Sequence, residues 1–97
     1  MRLYVGFTVF QSIVDPADIA RIRAKFGEKM QAMQQTGRLQ SGGVFADNRQ
    51  GFVVLDVASE DEAFMLLNEI ADFCVMETHP LVSFDTLGKY FAEHPPI

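Results

Sequence analysis

The stretch LYVGFTVF, from Leu3 to Phe10, constrains the whole chain because it alternates and yet is greasy on both sides. In an extended strand Leu3, Val5, Phe7 and Val9 point one way and Tyr4, Gly6, Thr8 and Phe10 the other. The first set is uniformly apolar and needs cover from helices. The second mixes two hydroxyls with a glycine and a phenylalanine. FVVLDV, from Phe52 to Val57, repeats the pattern: Phe52, Val54 and Asp56 share one face, opposite Val53, Leu55 and Val57. Strands of this kind have to be covered from two directions.

Helices are available for one of them. Asp15 is placed to cap a helix that has Pro16 at its first position and Asp18 in its first turn. Ile19, Ile22, Phe26, Met30 and Met33 then recur at three- and four-residue steps as one stripe, and Gly37 is the expected stop. The Met30 and Met33 pair reads as core filling. Ser59 with Glu62 three residues later forms a capping box ahead of Ala63, Leu66, Leu67 and Ile70, so a second helix is expected over about Glu60 to Ala71.

The remaining segments are strand-like. Arg38 to Phe45 contains the doublet Gly42 and Gly43 and is expected to form an irregular or bulged strand. A turn through Asp47, Asn48, Arg49 and Gln50 joins it to FVVLDV as a hairpin. VMETHPLVSFD, from Val75 to Asp85, reads as a last strand, which Pro80 confines to a sheet edge, or bulges at that point, because proline donates no amide hydrogen bond. A short helical turn is expected around Leu87 to Phe91, before Pro95 and Pro96 end regular structure.

The order β-α-β-β-α-β is the split unit of the ferredoxin-like fold, an α+β domain with a four-stranded antiparallel sheet and two helices on one face. Residues 1–97 are expected to form one such domain. The other face would carry Tyr4, Phe10, Phe52 and Val54, too much apolar surface to leave in water. The expected solution is a homodimer whose two sheets close an eight-stranded dimeric α/β barrel around a cavity, with larger homo-oligomers possible.

Composition narrows the partners. The formal net charge is −5 and there is no run of lysines or arginines, which argues against nucleic acid and anionic membrane surfaces. Nothing approaches the ~20 apolar residues that span a bilayer. The chain enters a strand at once, with no leader pattern, and its one cysteine, Cys74, has no internal disulfide partner; a cytoplasmic protein is the expectation.

The chemistry concentrates in the last strand. Glu77 and His79, two positions apart, share a face, so a carboxylate stands beside an imidazole, which can take and return a proton near neutral pH. The competing reading is a histidine satisfied at an edge beside a solvated glutamate. Tyr4 and Thr8 are expected to line the cavity, while Asp56 and Arg49 are candidates to hold a substrate carboxylate and its proton, or else simply end a strand and line a loop. Cys74 reads as a small buried hydrophobe and His94 as exposed. No metal site is expected, because Glu77 and His79 have no third ligand at usual spacing. No cofactor is expected either: Gly42 and Gly43 are not followed by a helix, as a phosphate-cradling loop would require.

The opening LYVGFTVF, the join FVVLDVASEDEAFMLL, the second helix running into a final strand, and the closing His94 and Pro95 together resemble the muconolactone isomerase-like group of the dimeric α/β-barrel superfamily over essentially the whole chain. METHPLVSFD stands where that group has a more acidic, proline-free run. The resemblance implies a cofactor-free proton shift within a small unsaturated lactone or a related metabolite of aromatic catabolism, in dimers that build larger rings. Relatives in the superfamily imply two alternatives, a cofactor-free monooxygenase acting on an electron-rich aromatic and a non-catalytic binding or assembly module.

Overall fold

A computed structural model describes residues 1–46 and 49–97. Its elements run β1 (Arg2–Val9), α1 (Pro16–Gln35), β2 (Leu39–Val44), β3 (Gln50–Asp56), α2 (Glu60–Asn68), β4 (Cys74–Leu81) and α3 (Phe84–Glu93). The strands form an antiparallel sheet in the order β2-β3-β1-β4, which is the ferredoxin-like topology. The expected hairpin turn includes Asp47 and Asn48, which lie outside the described residues.

The alternation of β1 and β3 decides where the core sits. Leu3, Val5, Phe7, Val53, Leu55 and Val57 are buried on one face, with Val5 and Leu55 fully inaccessible. Against them pack Met33 from α1, Ala63 and Leu67 from α2, and Ile70 and Phe73 from the segment after it, flanked by Ile22, Phe26 and Met30. The stripes expected on both helices are the surfaces they bury. Asp15 caps α1 as expected, its Oδ1 accepting from Ala17 N at 2.8 Å, and Gly37 ends it at a φ of 75°, which glycine adopts without strain. β2 shows the expected irregularity, its register with β3 shifting between Leu39 and Ser41.

Besides the last strand, which spans Cys74–Leu81 and not Val75 to Asp85 because Ser83 starts a helix there, three details differ from the sequence reading. First, β1 ends at Val9, and Phe10 lies beyond it, its amide donating to Phe73 O at 3.0 Å. Second, α2 stops at Asn68 instead of Ala71. Tighter turns follow, with Ile70 N donating to Leu67 O at 3.1 Å, and they deliver Ile70 and Phe73 to the core. Third, the C-terminal turn is a ten-residue helix, α3. Ser83 caps it, Oγ accepting from Thr86 N at 3.2 Å, and Asp85 sits in its first turn, so a good N-terminus propagates further than the apolar spacing alone indicates.

The capping box of α2 is half formed. Ser59 Oγ accepts from Glu62 N at 3.2 Å, but the Glu62 carboxylate takes the Arg38 guanidinium instead of the Ser59 amide. That ion pair ties the start of β2 to the start of α2. Lys29 on α1 likewise pairs with Glu69 just past α2, which holds its ammonium above the usual lysine range.

Candidate functional site

The site is assembled on the face of the sheet that the helices leave uncovered. Register places Tyr4 between Val54 on β3 and His79 on β4, and the next row places Gly6 between Phe52 and Glu77. Four strand positions thus converge around one ring. The phenol of Tyr4 stacks on Phe52, with centroids 5.9 Å apart and planes inclined by 18°. On its other side lies the His79 imidazole, centroid 6.1 Å away and tilted by 32°.

Gly6 explains how Tyr4 fits. The phenol lies back along its own strand, and a Cβ built on Gly6 would stand 3.3 Å from the hydroxyl. A glycine inside a strand often marks such a close approach.

His79 and Glu77 meet as the alternation requires, Nε2 of the imidazole lying 2.7 Å from Oε1 of the carboxylate. With the ring's Nε2–H donating to the carboxylate, Nδ1 is left as the atom able to take a proton. The His79 side chain is 58 % exposed in the single chain, so the pair stands at an open surface and not in a closed pocket.

The other candidates divide. Thr8, partly buried, shares the uncovered face two rows from Tyr4, opposite Gln50 and Val75. Asp56 is on the same face at the far end of β3, opposite Arg2, where its Oδ1 lies 3.6 Å from the Met1 ammonium. Arg49 is not brought to the others. Its guanidinium donates to the Ile13 carbonyl at 2.6 Å and it lines a groove under α1, beyond the opposite end of β1. The sequence reading put Gly6 and Phe52 on this face without giving them a part in the site, and it left out Arg2. All three share the strand face of Tyr4 and Thr8, which was the available signal.

Cys74 is buried at the start of β4, and burial pushes its thiol up to about 11, which keeps it protonated and unreactive. Among the described residues no three of His, Cys, Asp and Glu come together as a metal site would need, and no helix is long and apolar enough to cross a membrane.

Fold and site together define a ferredoxin-like α+β protein with a polar pair and an aromatic stack on its free sheet face. No family model and no curated protein matches the sequence. Among solved structures, the crystal structure of muconolactone isomerase at 3.3 Å resolution superposes with a TM-score of 0.69 over 86 % of this chain and 90 % of that one, at 23 % identity. The likeness establishes a shared fold.

Proposed function

We propose that this chain is a cofactor-free isomerase that moves a proton within a small unsaturated lactone, working as a homodimer whose uncovered sheet faces meet. The observation that carries the reading is the 2.7 Å pairing of Glu77 with His79 against the Tyr4 ring, on the uncovered face. The free Nδ1 of His79 takes a proton from a carbon made acidic by the lactone carbonyl. The electron pair delocalises into the conjugated system, and the imidazolium returns the proton to another carbon, so a double bond shifts with no net gain or loss of atoms. Glu77 orients the ring. Tyr4 and Phe52 supply an apolar platform for the substrate, Tyr4 and Thr8 offer hydroxyls to its oxygens, and Arg2 on the same face is the cation for a carboxylate. Asp56 sits at the rim of this face, and Arg49 takes no part. A cytoplasmic setting goes with this reading, since the single cysteine, Cys74, has no internal disulfide partner.

Incubation with muconolactone in deuterium oxide tests it. The wild type should isomerise the lactone, with deuterium entering the new C–H to the extent that the exposed imidazolium exchanges with solvent before returning its proton, and His79→Ala should slow turnover ~10²–10⁴-fold, the usual size of a general base contribution. Unchanged turnover by His79→Ala sinks the role of the imidazole. The aromatic stack of Tyr4 and Phe52 also supports a second reading, an oxygenase for electron-rich aromatics. Oxygen consumption with phenolic substrates, and no lactone turnover, would select it.

A further inference from the structure

α3 has no place in the fold of its own chain. It contributes nothing to the core cluster, and every residue from 77 to 97 is exposed, Phe84 to 89 % and Phe91 to 61 %. Phe84, Leu87 and Phe91 nevertheless recur at helical spacing as one apolar stripe. The chain is drawn out to 58 × 28 × 21 Å, with a radius of gyration of 16.4 Å, where a compact domain of this length would have roughly 12.5 Å. An amphipathic helix held away from its own body is an element awaiting cover.

A groove that could supply the cover lies at the other edge of the molecule. It runs between α1 and β2, has a volume of about 440 Å³, and has an apolar wall of Phe7, Phe26, Met30, Leu39, Val44 and Val53 beside the polar Gln34, Gln40 and Ser41. Its own α3 does not lie in it. β2 and β4 are the two edges of the sheet, three strand spacings or ~14 Å apart. The link from β4 to α3 is Val82 and Ser83, two residues that span at most ~7 Å.

A second copy removes the obstacle. When two sheets of order β2-β3-β1-β4 face each other about a two-fold axis parallel to the strands, the β4 edge of one lies beside the β2 edge of the other. The arm leaving β4 then starts next to the groove of its neighbour. We infer that α3 of each copy docks, through Phe84, Leu87 and Phe91, into the α1–β2 groove of a second copy, in a reciprocal exchange of arms. Each contact occurs twice by symmetry. The aromatic side chains involved bury ~150–250 Å² apiece, so the arms add several hundred Å² to the sheet contact, in the range a stable dimer needs. The inference rests on the pairing of sheets proposed above.

Sedimentation with backbone hydrogen exchange on the full chain separates the two ideas. Wild type should associate, with slow exchange in α3 and in Gly42–Val44. Leu87→Asp with Phe91→Asp should weaken association at least about tenfold and speed exchange at both places, leaving the β1 and β3 amides slow as a check of folding. Val54→Lys, on the uncovered face opposite Tyr4 and outside the groove, reports on the sheet contact alone. A wild type that associates and is dissociated by Val54→Lys, but whose α3 exchanges as a bare helix, overturns the arm and spares the sheet pairing. A monomer at all concentrations overturns both. An associating wild type whose α3 is protected but whose Gly42–Val44 amides are indifferent to the α3 variant also overturns it, since the helix then has another seat.

Discussion

The Tyr4 hydroxyl occupies the space that a side chain at Gly6 would take, 3.3 Å from where a Cβ would stand. Gly6→Ala therefore has to move the phenol by a few tenths of an ångström, away from its stack on Phe52 and its contact with His79. Because the face is open and the ring can give way, the expected change in stability is below about 1 kcal/mol. The effect should appear instead in the site, as a raised KM for the lactone with far-UV circular dichroism unchanged. An unchanged KM would mean that the position of Tyr4 does not matter to substrate.

Gly51 makes the opposite case, a glycine hemmed in by the core. A Cβ there would lie 2.7 Å from the Phe7 ring and run into the Gly43 carbonyl across the β2–β3 pair. Neither can yield cheaply, since one is backbone and the other a buried aromatic. Gly51→Ala should destabilise by about 1–3 kcal/mol or more, read as a lowered midpoint in urea with the slope preserved.

Cys74 gives a pH dependence of definite sign. Burial raises its thiol to about 11 in the folded chain, above the ~8.5 of an exposed cysteine. Below the unfolded value both states are protonated and the thiol has no pH effect. Between the two values only the unfolded chain loses the proton, so the native state binds more protons and stability falls as pH rises. Urea midpoints should decline from about pH 8.5 to pH 11, and Cys74→Ala should flatten that part of the decline. Native protein at pH 8 should also resist iodoacetamide until it is unfolded.

Asp15 tests the start of α1. Its carboxylate satisfies the amides of Ala17 and Asp18, at 2.8 and 3.4 Å, which no helical carbonyl can reach. Asp15→Ala should cost ~1 kcal/mol, and Asp15→Asn, which keeps an acceptor oxygen, much less. Equal losses from both would mean that charge at the helix terminus, and not the cap itself, is what matters.

What could be read from the residues was whatever local periodicity enforces. Leu3, Val5 and Phe7 had to face helices because a strand alternates, and Met33 and Leu67 had to face the sheet because a helix repeats every 3.6 residues. The same rule put Glu77 beside His79, a relation two residues long that the sheet has only to preserve. Arg49 lay past the reach of that rule: near a loop, its side chain is directed by the carbonyl of Ile13, far off in sequence. Phe52 joined Tyr4 for a similar reason, since strand parity fixes the face but only the pairing of β1 with β3 decides which residues on it are neighbours. The extent of α3, and its separation from its own core, likewise came from tertiary structure. A helix spacing shows that a stripe needs cover; the order of strands in the sheet decides which surface is near enough to give it.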